Sequence, residues 1–307
     1  MYDTIILGGG PAGVSAGVYA ARKQMKTLLI TKHFGGQSIT SPEIYNWIGT
    51  KVISGVDLAK NLEEHMRAQE GVDIKDGEEV VKVEKSDGGF KVVTDVNSYE
   101  SKTVLICNGA GRRKLNVAGE REFDGRGVAY CSTCDAPMFR GKAVAVVGCG
   151  NAGLEAARDL LPYAKEVYIF TNSDQIKGDP VTLAKIKQAP NFQGVVYNTN
   201  IKEILGDKMV SGLKYQDTKT GEEKTLAVQG IFIEIGSLPN SGAVADLVAL
   251  NGQGEIIIDH RTGTTSVPGV FAAGDITDSA YKQSNIAVGD AAKATLSAYQ
   301  YLQGKAN

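Results

Sequence analysis

The chain has 307 residues, 42% of them apolar and 22% charged, with a formal net charge of -2. That balance excludes an intrinsically disordered chain and gives no electrostatic drive towards nucleic acid or an anionic membrane, so neither partner is expected. The length predicts two domains of ~100–200 residues. No run approaches the ~18 consecutive apolar residues of a membrane span, and an expected first strand at Tyr2 leaves no room for a leader, which makes the cytoplasm the expected compartment.

In chain order, Tyr2–Leu7 reads as a strand, Gly8-Gly9-Gly10-Pro11-Ala12-Gly13 as a turn, Val14–Arg22 as a small-residue helix and Thr27–Thr31 as a second strand. This is a βαβ unit, its strand apolar without alternation as a buried parallel sheet requires. Short strands follow at Glu79–Glu84, Gly89–Thr94 and Thr103–Cys107, the last ending at Asn108-Gly109-Ala110-Gly111. The pattern then repeats: strand Ala143–Val147, turn Gly148-Cys149-Gly150-Asn151-Ala152-Gly153, helix Leu154–Leu161 and strand Glu166–Phe170. Short strands again follow, at Lys202–Leu205, Ser211–Gln216, Thr225–Val228 and Gly230–Ile235. After Pro239 come Glu255–Asp259, the strand–turn Gly269–Asp275 and a long helix from about Asn285 to Leu302, which have no counterpart in the second half and belong with the first domain. The expected fold class is α/β, with two Rossmann-like three-layer ββα dinucleotide-binding domains, the second inserted in the first. The expected boundaries are 1–113 and 239–307 for the first, discontinuous domain and 114–238 for the inserted one; the motifs below make the first the FAD-binding domain and the second the nicotinamide-binding domain with the redox disulfide.

In each G-x-G-x-x-G turn the first glycine permits the turn, the second lets the backbone approach a pyrophosphate, and the third packs helix on strand while the helix N-terminus faces the anion. One such motif is weak evidence, because glycines also end strands for structural reasons; two in strand–turn–helix context imply two dinucleotides. The natural pair for a disulfide enzyme is a resident flavin and a nicotinamide that comes and goes. Gly269–Asp275 supports the flavin by delivering Gly274 and Asp275 to a helix start, where the carboxylate can reach a ribityl hydroxyl; an ordinary Asp cap is the alternative.

Four cysteines in a chain of this length are no disulfide scaffold. Cys131-Ser132-Thr133-Cys134 has the spacing that closes a small disulfide ring and lowers the pKa of one thiol, which suits reversible thiol chemistry. Half a zinc site is disfavoured, because there is no second Cys-x-x-Cys and His33, His65 and His260 are scattered, so no metal is expected. Two unrelated buried cysteines are the bland alternative. Asp135 is either a proton donor and acceptor for the pair or a plain surface or capping Asp, and Cys107 and Cys149 read as packing residues. Because the pair precedes the second dinucleotide strand, disulfide and nicotinamide ride on one body and the flavin on the other. Hinge motion near Lys114 and Pro239 is therefore expected during turnover.

The motifs Gly8–Gly13, Gly35-Gly36-Gln37, Asn46-Trp47, Cys131–Asp135, Gly148–Glu155, Gly269–Asp275 and Tyr281-Lys282-Gln283 together resemble those of the low-molecular-weight thioredoxin reductases over the whole length. Within that class the chain is similar to the flavoprotein of alkyl hydroperoxide reductase systems, without its N-terminal domains. The resemblance implies that Gln37, Asn46, Asp275 and Gln283 contact FAD, that Cys134 attacks the flavin, that Cys131 exchanges with an external disulfide and that Asp135 is the acid–base residue. The remaining expected FAD-site residues are Gly8, Gly10, Pro11, Ala12, Gly13, Gly36, Gly109, Gly274 and Lys282; those of the nicotinamide site are Gly148, Gly150, Asn151, Ala152, Gly153 and Lys177. A homodimer and a thioredoxin or thioredoxin-like partner are also implied.

One departure concerns the electron donor. Family members that use NADPH carry His-Arg-Arg-x-x-x-Arg after the second unit's strand; here Thr171-Asn172-Ser173-Asp174-Gln175-Ile176-Lys177 keeps one cation. A 2′-phosphate wants Arg forks, yet the strand-end acid that would hold the ribose of NADH is also absent. NADH is the first expectation, NADPH the second and ferredoxin the third. The alternatives to a thioredoxin-disulfide reductase are an NADH-dependent reductase of a peroxiredoxin system and, in another class, a flavin redox sensor.

Overall fold

A computed structural model describes residues 1–41 and 43–304. The chain opens with β1 (Tyr2–Gly9), α1 (Pro11–Arg22) and β2 (Thr27–Phe34). It continues with α2 (Gly55–Arg67), β3 (Val72–Asp76), β4 (Val80–Ser86), β5 (Gly89–Thr94) and β6 (Ser98–Ile106). β1 is buried throughout Thr4–Leu7 because strands flank it on both edges and layers cover both faces. Ile6 lies level with Leu29 of β2 and Leu105 of β6, all parallel. The sheet order is β3-β2-β1-β6-β5-β4, with β5 and β4 antiparallel.

The chain then passes through β7 (Ala110–Arg112), β8 (Val128–Ala129), α3 (Ser132–Asp135), β9 (Ala143–Val147), α4 (Asn151–Leu160) and β10 (Glu166–Phe170). Next come α5 (Pro180–Lys187), β11 (Phe192–Val196), β12 (Thr199–Gly206), β13 (Val210–Asp217), β14 (Glu223–Leu226), β15 (Gly230–Ile233) and β16 (Ser237–Pro239). It ends with β17 (Val270–Ala272), which pairs with β6, and α6 (Ser284–Leu302). Two compact units result: Met1–Gly111 with Leu238–Asn307, and Arg112–Ser237. The last three residues of the expected 239–307 segment, 305–307, lie outside the described residues.

Both units are three-layered, as the repeated pattern indicates. In the first, Ile6, Leu29 and Leu105 face the helices, against Ala16, Leu58, Met66 and Ala291. On the other face Ile5, Leu7, Leu28 and Val104 pack with Val83, Val92, Val244 and Ile256. In the second, the parallel sheet β11-β10-β9-β15-β8 turns Val144, Val146 and Ile169 towards Leu154, Ala157 and Leu160 of α4. Its other face, with Ala145, Val147 and Ile231, is covered by Ile201, Ile204 and Leu213 of the separate meander β12-β13-β14. Full burial of each large side chain stabilises by about 1.5–3 kcal/mol, so these alternating faces specify register as well as stability.

The two meanders differ, and one reading needs correction. The meander of the first unit is continuous with its parallel sheet, because β6 is nine residues long and pairs with β5 through its first half and β1 through its second. β15 is four residues long and pairs with β8 and β9 in the parallel sheet. Gly274 and Asp275 do not open a helix: they sit in a turn after β17, and α6 begins at Ser284.

Candidate functional site

The first glycine turn forms one wall of a cleft of about 680 Å³ within the first unit. A Cβ on Gly13 would lie 1.8 Å from the Gly8 carbonyl oxygen, so only glycine lets α1 seat against β1 here. Gly10 is the extended N-cap residue of α1, whose first turn carries neither a capping side chain nor an acid. Its free N–H groups and the helix dipole therefore favour an anion. Gly8, Gly10, Pro11, Ala12, Gly36, Gln37, Gly109 and Asp275 all line the cleft. Asn108 lines it too, and its buried Oδ1 has no protein partner. An orphaned acceptor beside a helix N-terminus fits a large ligand bearing both phosphates and hydroxyl donors.

The other residues expected at the flavin site, Asn46, Gly274, Lys282 and Gln283, are not among those lining the cleft. Asn46 Nδ2 donates to Gln283 Oε1 at 3.1 Å, and Asn285 Nδ2 donates to the Asn46 carbonyl, so the two family-implied residues 237 positions apart do meet. Gly274, at φ +81°, packs on Ala12 and Ala287. The ammonium of Lys282 goes to Glu255, with Nζ–Oε1 2.9 Å. Lys32 and Glu79, which pair at 2.7 Å on the cleft wall, are invisible to sequence reading because neither belongs to a motif.

The second unit repeats the device. A Cβ on Gly153 would lie 2.3 Å from the Gly148 carbonyl oxygen, and α4, like α1, lacks a capping side chain. Nothing lies within 4 Å of a Cβ on Gly150, so that position faces open space. Ala152, between Asn151 and Gly153, lies in the first turn of α4 and is exposed. The following loop is strapped to the turn: the Lys177 and Gly178 amides both donate to the Cys149 carbonyl at 2.9 Å, and the Asp179 amide to Asn151 Oδ1 at 2.8 Å. The Lys177 side chain is exposed. Thr171, at the end of β10, is buried and accepts the Ser173 amide at 3.0 Å.

Cys131 and Cys134 form a disulfide within this same unit. Cys131 is the extended N-cap of α3, and its Sγ accepts the Cys134 amide at 3.2 Å. Ser132 Oγ ties α3 to α4 by donating to Asp159 Oδ2 at 3.0 Å. Asp135 closes α3; burial, reinforced by the charge of Asp124, pushes its carboxyl up to about 6. That value suits proton exchange near neutrality. Burial also pushes Glu234, just after β15, up to about 7; Asp159 and Glu155 add to the rise, while Arg112 and the Ser132 amide oppose it. Glu234 is not legible from sequence, because its neighbours converge from separate segments. Cys107 is fully buried and its thiol is pushed up to about 12, which leaves it inert. Among the described residues, no group of three or more His, Cys, Asp or Glu side chains is arranged to hold a metal, and no helix is long and apolar enough to cross a membrane.

The same glycine turn thus recurs on two compact units, the second of which also carries the Cys131–Cys134 disulfide. The chain belongs to the pyridine nucleotide-disulphide oxidoreductase family, whose model matches residues 2–291. Members of this family bind FAD and use NADH or NADPH. The chain is 44% identical over 301 residues to an NADH dehydrogenase of Bacillus subtilis and 43% identical over 307 residues to the F component of the alkyl hydroperoxide reductase of Pseudomonas putida. Each alignment covers 98% of this chain but only 58% of the relative, so the chain spans under two thirds of their length. Among solved structures it superposes on the thioredoxin reductase of Streptococcus pyogenes with a TM-score of 0.91 at 36% identity, covering 99% of both chains. That of Giardia duodenalis gives 0.92 at 31% identity, over 98% of this chain and 99% of the other.

Proposed function

We propose that the protein passes electrons from NADH through FAD and the Cys131–Cys134 disulfide to a thioredoxin or thioredoxin-like protein, as a homodimer in the cytoplasm. The observation that carries this is the Cys131–Cys134 disulfide on the same compact unit as the uncapped Gly148–Gly153 turn, with Asp135 held near neutrality. The cleft of the first unit, with Asp275 and the unpaired Asn108 Oδ1, fits FAD, and the second turn fits the nicotinamide dinucleotide. Bound FAD supplies a two-electron relay between nicotinamide and disulfide.

In the dithiol state, the Cys131 thiolate attacks one sulfur of the partner's disulfide, forming a mixed disulfide and releasing the partner's other sulfur as thiolate. Cys134 then attacks Sγ of Cys131, which restores the Cys131–Cys134 bond and frees the reduced partner; two electrons and two protons have left this chain. When the disulfide is next opened, Asp135 donates a proton to the departing sulfur. Its carboxyl is protonated below about 6 and ionised above. The rate of disulfide opening therefore falls as pH rises through that value. Asp135→Asn should lower it by about 10²-fold and flatten the profile between pH 5 and 7.5; an unchanged inflection in rapid-mixing traces would remove Asp135 from the step.

A peroxiredoxin-linked thiol protein is the second reading for the acceptor, favoured by the 43% identity to the alkyl hydroperoxide reductase component. The donor is tested by mixing the flavoprotein anaerobically with NADH and with NADPH and following the flavin's visible absorbance. Faster bleaching by NADH is expected, because the loop 171–177 offers no Arg to a 2′-phosphate. Faster bleaching by NADPH reverses the assignment, and none by either sends the search to a protein donor such as ferredoxin.

A further inference from the structure

Lys282 belongs to the Tyr281-Lys282-Gln283 motif, yet it is absent from the walls of the first unit's cleft. Its ammonium is oriented elsewhere: Nζ donates to the Asp275 carbonyl at 3.2 Å and to the Thr277 carbonyl, and lies 2.9 Å from Glu255 Oε1. Three acceptors match three N–H donors, leaving none for a ligand. The carboxylate of Glu255 is equally occupied, because Asn251 Nδ2 donates to Oε2 at 2.7 Å. Both side chains are largely buried, at 18% and 15% exposure, so each charge depends on the other.

The segment that the ammonium grips carries Asp275 on the cleft wall. Thr277 closes the turn by donating its amide and its hydroxyl to the Gly274 carbonyl, at 3.0 and 2.8 Å. The strand-like stretch beginning at Glu255 runs beside it: the Ile256 amide donates to the Ile276 carbonyl at 2.9 Å, and the Asp278 amide to the Ile256 carbonyl at 3.0 Å. Lys282 thus joins the two ends of the Asp275 turn to a neighbouring segment through one buried charge pair.

We propose that Glu255 and Lys282 are positioning residues for the flavin: they fix the backbone of Gly274–Thr277 so that Asp275 presents its carboxylate to the cleft without induced fit. This rests on the assignment of FAD to that cleft. Preorganisation converts directly into affinity, because the ordering cost of the turn is met before the ligand arrives. A loosened turn also permits more than one flavin pose.

The test is a double-mutant cycle on the full chain, read by titrating the flavin-free protein with FAD and following fluorescence quenching. Lys282→Met and Glu255→Gln are each expected to raise the FAD dissociation constant by about 10-fold or more and to broaden the resolved vibronic shoulders of the bound flavin spectrum. Lys282→Arg, which keeps charge and donors, should recover most of the affinity. In an Asp275→Asn background the further effect of Lys282→Met should shrink to about 2-fold or less, since residues that act through one another are not additive. A merely structural lysine would lower the melting temperature of the flavin-free protein while its effect on FAD remained additive with Asp275→Asn. Additivity, or single variants within 2-fold of the parent, overturns the clamp. An Asp275→Asn variant that binds FAD as tightly as the parent overturns the placement of FAD itself.

Discussion

Cys131→Ser and Cys134→Ser are each expected to reduce the proposed disulfide-reductase turnover by at least about 10⁴-fold, with flavin still bound and still bleached by the nicotinamide donor. The size follows from the chemistry: a serine hydroxyl neither attacks a disulfide sulfur nor accepts two electrons reversibly, so the relay is interrupted rather than slowed. Flavin retention follows from the fold, because the cysteines lie in Arg112–Ser237 and the cleft is lined by residues of the other unit. The two variants also differ from each other. With Cys134 gone, Cys131 would still form the mixed disulfide but nothing would resolve it, so Cys134→Ser is expected to accumulate a covalent complex with the thiol partner, visible on a non-reducing gel. Cys131→Ser does not. A trap formed by Cys131→Ser instead would exchange the two roles, and turnover retained by either variant would end the mechanism.

Gly150→Ala is expected to separate folding from nicotinamide binding. The residue has extended backbone angles, φ -82° and ψ -174°, that alanine adopts freely, and an added Cβ meets no atom within 4 Å. Loss of a helix N-cap glycine costs less than about 1 kcal/mol, so the melting curve should scarcely move. On the proposed nicotinamide site, a pyrophosphate would approach the N-terminus of α4 through the open space beside Gly150, and a methyl group there would keep it at a distance. Reduction of the flavin at subsaturating NADH should fall about 100-fold, mainly through weaker binding. Gly153→Ala is the contrasting control: its Cβ would lie 2.3 Å from the Gly148 carbonyl oxygen, so α4 must shift off β9 and stability falls with binding. Equal stability and equal NADH affinity in Gly150→Ala would move the nicotinamide elsewhere.

These contrasts show which parts of the molecule a sequence carries in the open. The turns after β1 and β9 are legible because each glycine answers a local steric demand; the 1.8 Å gap at Gly13 tolerates no other residue. The Cys131–Cys134 pair is legible because its spacing is its chemistry. The sequence pattern places the start of β6 five residues late, since Ser98–Lys102 is mostly polar and exposed, and only its pairing with β5 makes it strand. α2 escapes the pattern although Ser54 caps it by accepting the Asp57 amide at 3.0 Å and Leu58, Leu62 and Met66 form its buried stripe. There the signal is present and short. Glu234 and the Glu255–Lys282 pair are hidden for a different reason: their significance lies in neighbours that only the folded chain assembles.

The burial of Cys107 turns the other thiols into a gauge. A thiol held at about 12 inside the first unit stays silent to alkylating reagents at neutral pH. In the oxidised protein Cys131 and Cys134 are locked together, which leaves the partly exposed Cys149 as the group to be labelled. Opening that disulfide unmasks a single further pair, so the mass added by a brief maleimide pulse reads the redox state of the disulfide in an individual molecule directly, without recourse to flavin colour.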